Sequence, residues 1–578
     1  MKNILRKKKK ILFVFSLFSF LVASLFAQQQ PPGTEPGAEA TRFEQKTRAE
    51  KVLFEKDKVK KPAIDIEEEK TPLPGAPQII FTLNDVKVTG ATIFQERDFY
   101  PVYRNFLGRK VSYDELDMIT EKIKSMYKEK GYLTTIVYIP EQEAREGIIE
   151  IRVVEGKMGD LNIEGNKWFK KPLLEKFFHI KKNEILDFKI LQRDILRLNQ
   201  NSDLEVKTVI TAGKAPGTSD VILKVSDKFP WHIGLGSDNQ GSRLVGKWRG
   251  SGYLRSSNVS GNFDSLFINS LVSTNSFGES LSYSCPLDTY GTKFNLDFTY
   301  FKMKLGKEFK VNDIRGTSKI FTPHFLFELI LDEDTQLNAD LGLDAKSIIK
   351  KMSGEVTSKD ELRIPFFSFD FSKIDSFGNG GQTRFVPRFN FSTSGFLGAS
   401  SRNHPSASRQ GTGGFFFSYG QMLSRIQRMP LDTYLSIKTD FQAVSHTLPS
   451  SEQFQIGGAN SVRGYPEGDY LADIGGVMNL EWVLPMYLIP KNIKLKGADI
   501  DLRHQITPVL FFDIGGGFLK ETMPGEVKNK FLMGVGGGLR MYFNRNIYLK
   551  LDWAKHVGDD PTAGNGPSTF HLTFQSEI

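Results

Sequence analysis

The sequence Ser461-Val462-Arg463-Gly464-Tyr465 is the stretch around which the rest of the chain is organised. It lies in a glycine-rich loop, from residue 457 to about 475, between two segments in which apolar and polar residues alternate. A second motif, Phe511-Phe512-Asp513-Ile514-Gly515, follows inside another alternating segment. If the loop folds back into a β-barrel, Arg463 and Asp513 can pair there, because a partly dehydrated lumen screens an ion pair less than bulk water does. The alternative is a solvated turn at Arg463 and an unrelated lumen-facing acid at Asp513.

The two motifs, in this order and late in the chain, resemble the signature of one superfamily. Val462–Tyr465 is similar to the signature loop of outer-membrane transporters with POTRA domains, the superfamily that includes the BamA insertase and the two-partner secretion transporters. Phe511-x-Asp513-x-Gly515 resembles the partner motif on a nearby barrel strand. The resemblance implies that the loop tucks into the barrel and that its arginine pairs with the aspartate.

Each residue of the loop motif then has an expected role. Arg463 anchors the tucked loop, and Gly464 permits a tight backbone bend. Val462 and Tyr465 pack the loop against the barrel wall. Glu481, on the alternating segment after the loop, either joins the cluster around Arg463 or is one more lumen acid.

Length and composition narrow the fold class without deciding it. A length of 578 residues suggests several domains. The chain is 12% aromatic, with 47 Phe and 52 Gly, yet its mean hydropathy is −0.29. After the N-terminus, no stretch offers the roughly eighteen consecutive apolar residues that a membrane helix requires. This composition fits a transmembrane β-barrel, which hides its lipid face as every second residue, and it also fits a soluble all-β protein.

Charge and motif content argue against nucleic-acid binding and enzymatic chemistry. The net charge is +9, but six of the positive charges lie in the first ten residues, so the remainder is too weakly basic to indicate nucleic acid. The single cysteine, Cys285, excludes an intramolecular disulfide and a Cys-based zinc cluster. The eight histidines are scattered, and neither a phosphate-binding loop nor a Gly-x-Ser-x-Gly elbow is present. We therefore expect no cofactor, no metal and no enzymatic activity, and transport as the work of the protein.

The N-terminal region is predicted to carry an export signal and then a segment with no core of its own. Residues 1–27 are predicted to be a secretory signal peptide, with an uncleaved membrane anchor as the alternative. Within the Pro- and charge-rich residues 28–77, Thr41–Lys61 lacks Pro and Gly and places opposite charges at helical spacing. The family resemblance implies that this segment is a helix that plugs the pore and that Pro62–Pro77 is an extended linker. The alternative is a disordered, solvated tether.

Residues 78–155 follow the order β-α-α-β-β. Ser112 is placed to cap the second helix, and Gly131 is placed to end it. The motifs Tyr127-x-x-x-Gly131-Tyr132 and Glu150–Gly156 closely resemble the first POTRA domain of two-partner secretion transporters.

Residues 156–228 repeat this pattern with weak self-similarity. Leu198–Asn201 and Pro216–Asp220 resemble the second POTRA domain of the same transporters. A strand edge in such a domain offers unpaired backbone groups, so it can bind an extended chain with little demand on sequence. The alternative is that both domains are only spacers.

From residue 229 to 578 the period of the apolar residues becomes two, as in Phe294–Tyr300 and Ile547–Trp553. A soluble sandwich would bury such faces inward, whereas a porin-like barrel turns them to lipid. About 350 residues, at roughly 22 per strand and turn, give about 16 strands, an even number as in bacterial barrels.

Two further features concern the ends of the barrel strands. The polar stretches Asp332–Asp360 and Gly398–Gly413 are predicted to be surface loops. The chain ends on Ile578, whereas the family usually ends its last strand on an aromatic residue. This departure puts the usual assembly signal in doubt, though not the barrel.

The expected fold is therefore two α+β POTRA domains followed by a transmembrane antiparallel β-barrel of about 16 strands. The resemblance, which covers the chain from about Phe81, implies a two-partner secretion transporter similar to the haemolysin and adhesin exporters. It places the barrel in the bacterial outer membrane and the POTRA domains in the periplasm.

The partners expected on this basis are outer-membrane lipid and an unfolded secreted protein, with no nucleic acid, and the protein itself is expected to be a monomer. The client would add as a strand to a POTRA edge, pass through the lumen and fold outside. One alternative is a barrel-assembly factor of the BamA type, and another is a passive porin or a surface adhesin.

Overall fold

The computed structural model describes residues 32–56, 64–66, 81–143, 145–495, 501–543, 546–562 and 568–578. The signal peptide predicted over residues 1–27 and most of the predicted linker, Pro62–Pro77, lie outside these residues. In the described part of the chain, no helix combines the length and the apolar character needed to cross a bilayer.

The described chain begins with a short 3-10 turn, Pro32–Thr34, and a 21-residue helix, α1 (Pro36–Lys56). The helix predicted over Thr41–Lys61 therefore starts earlier, at a proline, which is tolerated in the first turn because its missing N–H would have no helical partner there. The last five residues of that prediction lie outside the described residues. A short strand, β1 (Ile64–Ile66), follows.

The first globular domain has the predicted β-α-α-β-β order. Ser112 caps the second long helix by accepting from the backbone N–H of Glu115, and Gly131 ends it with a left-handed φ of 105°. The sheet has the strand order β3-β6-β5, with β3 parallel to β6. In chain order the elements are β2 (Phe81–Thr82), β3 (Asp85–Thr89), α2 (Glu96–Tyr103), β4 (Lys110–Val111), α3 (Tyr113–Lys130), β5 (Ile136–Tyr138) and β6 (Ile148–Val154).

Two sequence motifs of this domain meet in its core. Tyr127 is fully buried, and its hydroxyl donates to Glu155 Oε1 at 2.8 Å. The same carboxylate accepts from the backbone N–H of Thr92 at 2.7 Å and of Ile93 at 2.9 Å. Burial alone would raise the pKa of Glu155, but these hydrogen bonds outweigh burial and hold its pKa below the ordinary value. The charged carboxylate therefore links the turn after β3 to helix α3.

Replacing Tyr127 with phenylalanine removes one hydrogen bond to a charged group and keeps the ring. We expect Tyr127→Phe to lower the free energy of opening of this domain by about 1.5–3 kcal/mol, the range for hydrogen bonds to charged partners. Native-state hydrogen exchange of amides in residues 81–143, in the full-length protein, measures this quantity. The control is Tyr113→Phe at the exposed start of the same helix, and equal losses in both variants would contradict the role of Glu155.

The second domain repeats the architecture and receives an additional strand. Its elements are β7 (Lys157–Glu164), α4 (Lys171–Lys176), α5 (Phe188–Asn199), β8 (Leu204–Ala212) and β9 (Thr218–Asp227). The sheet order is β1-β8-β9-β7, because Ile64–Ile66 pairs in parallel with Thr208–Ile210. A segment that precedes both domains thus occupies the outer edge of β8.

The remainder forms a closed antiparallel barrel of 16 strands, which confirms the predicted class. The sheet closes where the first barrel strand, β10, pairs with the last, β27. The wall strands are β10 (Trp231–Asp238), β11 (Arg249–Ser256), β12 (Ser265–Ser273), β13 (Ser276–Pro286), β14 (Lys293–Lys304), β15 (Arg315–Leu331), β16 (Thr335–Met352), β17 (Glu355–Asp375), β18 (Gly381–Ser392), β19 (Phe416–Met429), β20 (Thr433–Val444), β23 (Ile474–Val483), β24 (Ile506–Phe518), β25 (Asn529–Phe543), β26 (Ile547–His556) and β27 (Ser568–Glu577).

Three short elements lie outside the wall. Strands β21 (Phe454–Ile456) and β22 (Tyr470–Ala472) form a separate hairpin, and helix α6 (Leu502–Gln505) precedes β24. The second globular domain contacts the rim at the end where β10 begins, since Arg197 donates to Glu328 Oε1 at 2.6 Å and to the carbonyl of Thr289 at 3.0 Å. That end of the barrel is therefore its periplasmic end if the domains lie in the periplasm.

The surface loop predicted over Asp332–Asp360 is wrong, because most of that stretch belongs to β16 and β17. These strands contain 18 and 21 residues, whereas about 9–11 residues suffice for a strand to span the hydrocarbon layer. Several of the polar residues that suggested a loop are buried toward the barrel interior, among them Asp344, Lys346 and Asp360. The second predicted loop, Gly398–Gly413, does lie between strands β18 and β19.

The last strand continues the inward and outward alternation to its final residue. Phe570 and Phe574 are exposed, whereas Gln575 and Glu577 are buried toward the lumen. Ile578 exchanges two backbone hydrogen bonds with Ile233 across the closing pair, at 2.8 and 3.0 Å, and its side chain is exposed. The terminal isoleucine thus takes the outward position that the alternation assigns to an aromatic residue.

Candidate functional site

The β21–β22 hairpin leaves the wall between β20 and β23 and folds against the inner face of β24 and β25. The turn that joins its strands carries the motif Val462–Tyr465. Val462 and Tyr465 are both fully buried and belong to an apolar cluster with Leu532 of the wall. The predicted loop is therefore part of a hairpin packed inside the barrel.

Arg463 is bound to Asp513 by three of its donors. Nε donates to Asp513 Oδ2 and Nη2 to Asp513 Oδ1, both at 2.7 Å, and the backbone N–H donates to Oδ2 at 3.1 Å. The guanidinium carbon also lies 3.5 Å from the centroid of the Phe511 ring. Arg463 is 2% exposed and Asp513 is fully buried. Only a planar guanidinium can satisfy this bidentate and stacked geometry at once.

Two further carboxylates complete the surroundings of Arg463. Its Nη1 donates to Glu481 Oε1 on β23 at 2.5 Å and to Asp552 Oδ2 on β26 at 3.3 Å. Asp552 is itself paired with Arg540 on β25 at 2.5 Å and with Lys550 at 3.4 Å. Three cations and three carboxylates balance, so the cluster as a whole carries no net charge.

Glycines let the hairpin lie directly on the wall. Gly464 has a φ of 97°, and a Cβ on it would come within 2.8 Å of the backbone nitrogen of His556. A Cβ on Gly534 of β25 would lie 2.0 Å from the carbonyl oxygen of Arg463. Gly515 faces Val462 in the same way, at 2.9 Å. The close approach of loop and wall requires glycine at these positions.

The structure places all seven residues of the two predicted motifs at one site, and Glu481 joins them. It adds Asp552, Arg540 and Gly534, which the sequence analysis did not single out. The alternation in Ile547–Trp553 marks Asp552 as inward-facing, but it does not tell which neighbours the residue meets. The neighbours of Asp552 are determined by which strands lie beside β26 once the sheet has closed into a barrel.

Helix α1 occupies the lumen beside the hairpin. Its Phe43 packs against Phe301 of β14, with ring centroids 5.9 Å apart. Arg42 Nη1 donates to Gln455 Oε1 of the hairpin at 3.2 Å, and Gln455 Nε2 donates to the carbonyl of Ala38 at 2.9 Å. The helix is thus held both by the wall and by the in-folded hairpin.

A second buried arginine closes the end of the barrel farthest from the globular domains. Arg409, in the connection between β18 and β19, pairs with Asp473 at 3.2 Å and with Glu526 at 2.8 Å. Asp473 lies between the hairpin and β23, and it also accepts from the backbone N–H of Leu448 at 3.0 Å. The predicted loop Gly398–Gly413 is therefore folded over the barrel mouth and attached to the base of the hairpin.

Comparison with known proteins identifies the family to which this architecture belongs. The family model described as "Haemolysin secretion/activation protein ShlB/FhaC/HecB" matches residues 217–541, and that described as "POTRA domain, ShlB-type" matches residues 81–156. The chain belongs to the haemolysin secretion/activation family. It is a two-partner secretion transporter of the outer membrane, with its POTRA domains in the periplasm.

Individual relatives agree with this assignment. The heme/hemopexin transporter protein HuxB of Haemophilus influenzae is 23% identical over 475 residues, covering 79% of this chain and 80% of the relative. The structure of CdiB from Escherichia coli is 17% identical, has a TM-score of 0.72, and covers 96% of this chain and 100% of that one. BamA from Haemophilus ducreyi lacking POTRA domains 1–3 is 15% identical, with a TM-score of 0.51 and coverage of 86% and 100%. The BamA likeness concerns the fold alone.

The family is one of secretion channels and not a class of enzymes. Among the described residues, no group of three or more His, Cys, Asp and Glu side chains is arranged to hold a metal ion.

Removing the arginine leaves buried carboxylates without their cation, so we expect a large loss of stability. Arg463→Met should lower the free energy of unfolding in lipid or detergent by about 3–5 kcal/mol, the cost of breaking a buried ion pair. Denaturant unfolding followed by tryptophan fluorescence measures it. Arg463→Met combined with Asp513→Asn should recover part of the loss, because the second change removes an unpaired charge.

Arg425→Met is the matched control for this experiment. Arg425 also forms a bidentate pair, with Asp375 at 2.8 and 2.9 Å, but at the partly exposed rim of the barrel. Such a pair is worth about 0–1 kcal/mol. A similar loss in both variants would contradict the importance of burial at Arg463.

Proposed function

We propose that this transporter exports an unfolded partner protein from the periplasm to the cell surface through the lumen of its barrel. The observation that carries the proposal is that the lumen is filled by α1, a helix that forms no part of the wall. Barrels of 16 or more strands are wide enough to enclose an aqueous channel, so withdrawal of α1 would open a path.

Helix α1 is the plug of this path. Among the side chains of α1 that the structure describes, apolar contact with the wall lies around Ala40 and Phe43. Farther along, its contacts are polar, as in the pair of Lys46 with Asp238 at 2.5 Å. Water can replace polar contacts at small net cost, because a typical intramolecular hydrogen bond contributes only about 0.5–1.5 kcal/mol. This composition suits a helix that leaves and returns.

Unlike α1, the in-folded hairpin is attached permanently to the barrel wall. Val462 and Tyr465 are buried in an apolar cluster, and Arg463 is enclosed by carboxylates from three wall strands. We assign Arg463 and Asp513 the role of holding the hairpin against one side of the wall, so that the channel vacated by α1 keeps its shape during export.

The client is received as an added strand on the first POTRA domain. In the second POTRA domain the edge of β8 already carries β1. In the first, β3 and β5 are the two outer strands of the described sheet, and β5 carries Ile136 and Tyr138, which are 56% and 40% exposed. An open edge flanked by apolar side chains favours the binding of an extended, unfolded chain.

The remaining elements of the proposal concern energy and surroundings. The sequence carries no nucleotide-binding motif, so folding of the client outside the cell supplies the direction of transport. The apolar outer face, with Phe570 and Trp553 exposed, contacts outer-membrane lipid. One chain closes the wall by itself, so the channel needs no second subunit, and we propose a monomer as the working unit.

Export is tested by comparing culture medium from cells with and without the transporter. We expect its loss to remove one large secreted protein from the medium while other outer-membrane barrels remain at their normal levels. Depletion of many barrels instead would favour an assembly factor of the BamA type.

The receiving edge is tested by placing charges on it. Ile136→Lys with Tyr138→Lys should reduce the secreted client at least about tenfold, because lysines on an edge strand oppose the addition of another strand. Tyr100→Lys, at another exposed aromatic of the same domain, should leave export unchanged. Normal export by the edge variant, with the transporter present in the outer membrane, would refute this assignment.

A further inference from the structure

The pair of strands that closes the barrel has the shortest backbone ladder in the described wall. Gly234–Asp238 of β10 pairs with Thr573–Glu577 of β27, fewer paired positions than for any other neighbouring wall strands in the described residues. Beyond Asp238 the backbone N–H of Asn239 donates to the carbonyl of Leu572 at 3.3 Å, and its side-chain amide donates to the carbonyl of Phe570 and accepts from the N–H of Leu572, both at 2.9 Å. We call the β10–β27 pair and this extension the seam.

Helix α1 binds both strands of the seam from inside. Lys46 Nζ lies 2.5 Å from Asp238 Oδ2 at the end of β10. One turn later, Glu50 Oε1 accepts from Gln575 Nε2 of β27 at 3.0 Å. The two helix residues are themselves 3.6 Å apart, and Asp238, Gln575 and Glu50 are all buried.

These contacts make one continuous bridge across the junction. Residues four apart lie on the same face of a helix, so Lys46 and Glu50 face the seam together. The chain of contacts runs from Asp238 through Lys46 and Glu50 to Gln575 and joins β10 to β27 independently of their backbone ladder. Because the four groups are shielded from water, each contact is worth more than an equivalent pair at the surface.

Loss of the bridge would leave β10 attached on its other side. Asp238 also pairs with Arg249 of β11 at 2.7 Å, and this contact does not involve α1. On the β27 side, Gln575 would lose its contact with Glu50. Departure of the helix therefore weakens the junction between β10 and β27 more than the junctions on either side of it.

We propose that α1 is a strap that ties the two closing strands of the barrel, in addition to filling the lumen. When α1 leaves, the seam loses its inner bridge at the moment the channel is vacated, and the wall can widen there around a passing polypeptide. The bridge itself stands on the contacts above, whereas its use in transport rests on the proposed export function.

The strap is tested by hydrogen exchange of the seam amides, residues 234–239 and 572–577, in the full-length protein in lipid nanodiscs. Lys46→Met with Glu50→Met should speed exchange there at least about tenfold, because hydrogen bonds to charged groups are lost from both strands. Exchange in β16 and β17, measured in the same sample, should not change and reports that the barrel is folded.

Glu35→Gln is the matched control, because Glu35 ties the start of α1 to Lys350 on β16 at 2.7 Å, away from the seam. It should leave seam exchange unchanged. Unaltered seam exchange in the Lys46 and Glu50 variant would overturn the proposal, and so would equal acceleration by Glu35→Gln.

A second experiment separates the strap from the export function. Leu235 and Ser576 are directly opposite each other across the seam, so Leu235→Cys with Ser576→Cys, in a Cys285→Ser background, allows the seam to be locked by oxidation. Loss of client export on oxidation, restored by reduction, supports widening at the seam. Normal export through the locked barrel overturns that widening while leaving the lumen path of the proposed function intact.

Discussion

The burial of one guanidinium inside the barrel is the constraint on which the inner architecture depends. A charge removed from water costs several kcal/mol unless it is fully paired, and Arg463 meets this condition only with carboxylates from three wall strands. Strands β23, β24 and β26, the last separated from β24 by β25, must be in the correct register for the cluster to form. The hairpin therefore has one position in the lumen, since any shift would separate Arg463 from Asp513 and leave both charges unpaired. Such a cluster specifies a single position of the hairpin more than it raises the free energy of unfolding.

The space that remains beside the hairpin determines where α1 can lie in the lumen and which wall strands it contacts. One side of the lumen is filled by the hairpin, whose glycine-mediated contact with β24 and β25 is too close to admit another element. Helix α1 lies on the other side, against the early strands β13 to β16 and the closing pair. The two lumen elements thus differ in their described contacts, because the hairpin turn is fixed by an enclosed ion cluster and apolar packing, whereas α1 combines an apolar contact at Phe43 with polar contacts such as that of Lys46 with Asp238.

The sequence predicted the parts of this arrangement that repeat or that lie within one motif. The period of two together with the family resemblance predicted the barrel, and the length of the alternating region predicted its strand number. The pairing of Arg463 with Asp513 was implied by the resemblance of their two short motifs to the family signature. Asp552 and Gly534 could not be assigned, since their neighbours come together only when the sheet closes. The start of α1 was placed too late because Pro36 and Gly37 are usually helix breakers. In the structure Pro36 occupies the first turn, and Gly37 faces Ser451 so closely that a Cβ would lie 2.5 Å from its Cβ. The stretch Asp332–Asp360 was predicted wrongly because polar residues on a barrel strand can face the lumen, as the buried Asp344, Lys346 and Asp360 do.

Unpaired strand edges cost free energy in a membrane and promote aggregation in water. The fold confines such edges to the periplasmic POTRA domains. Closing 16 strands into a cylinder removes every edge from the hydrocarbon layer, where unsatisfied backbone groups would each cost several kcal/mol. The POTRA sheets cannot close in this way, because each has only a few strands. In the second domain the chain covers its own edge with β1, whereas in the first β5 remains outermost among the described strands. Outer strands also remain at β3 and β7, but only β5 of these three combines an outer position with large exposed apolar side chains, Ile136 and Tyr138. Such an edge carries a risk of aggregation, which an extended chain that occupies it would remove.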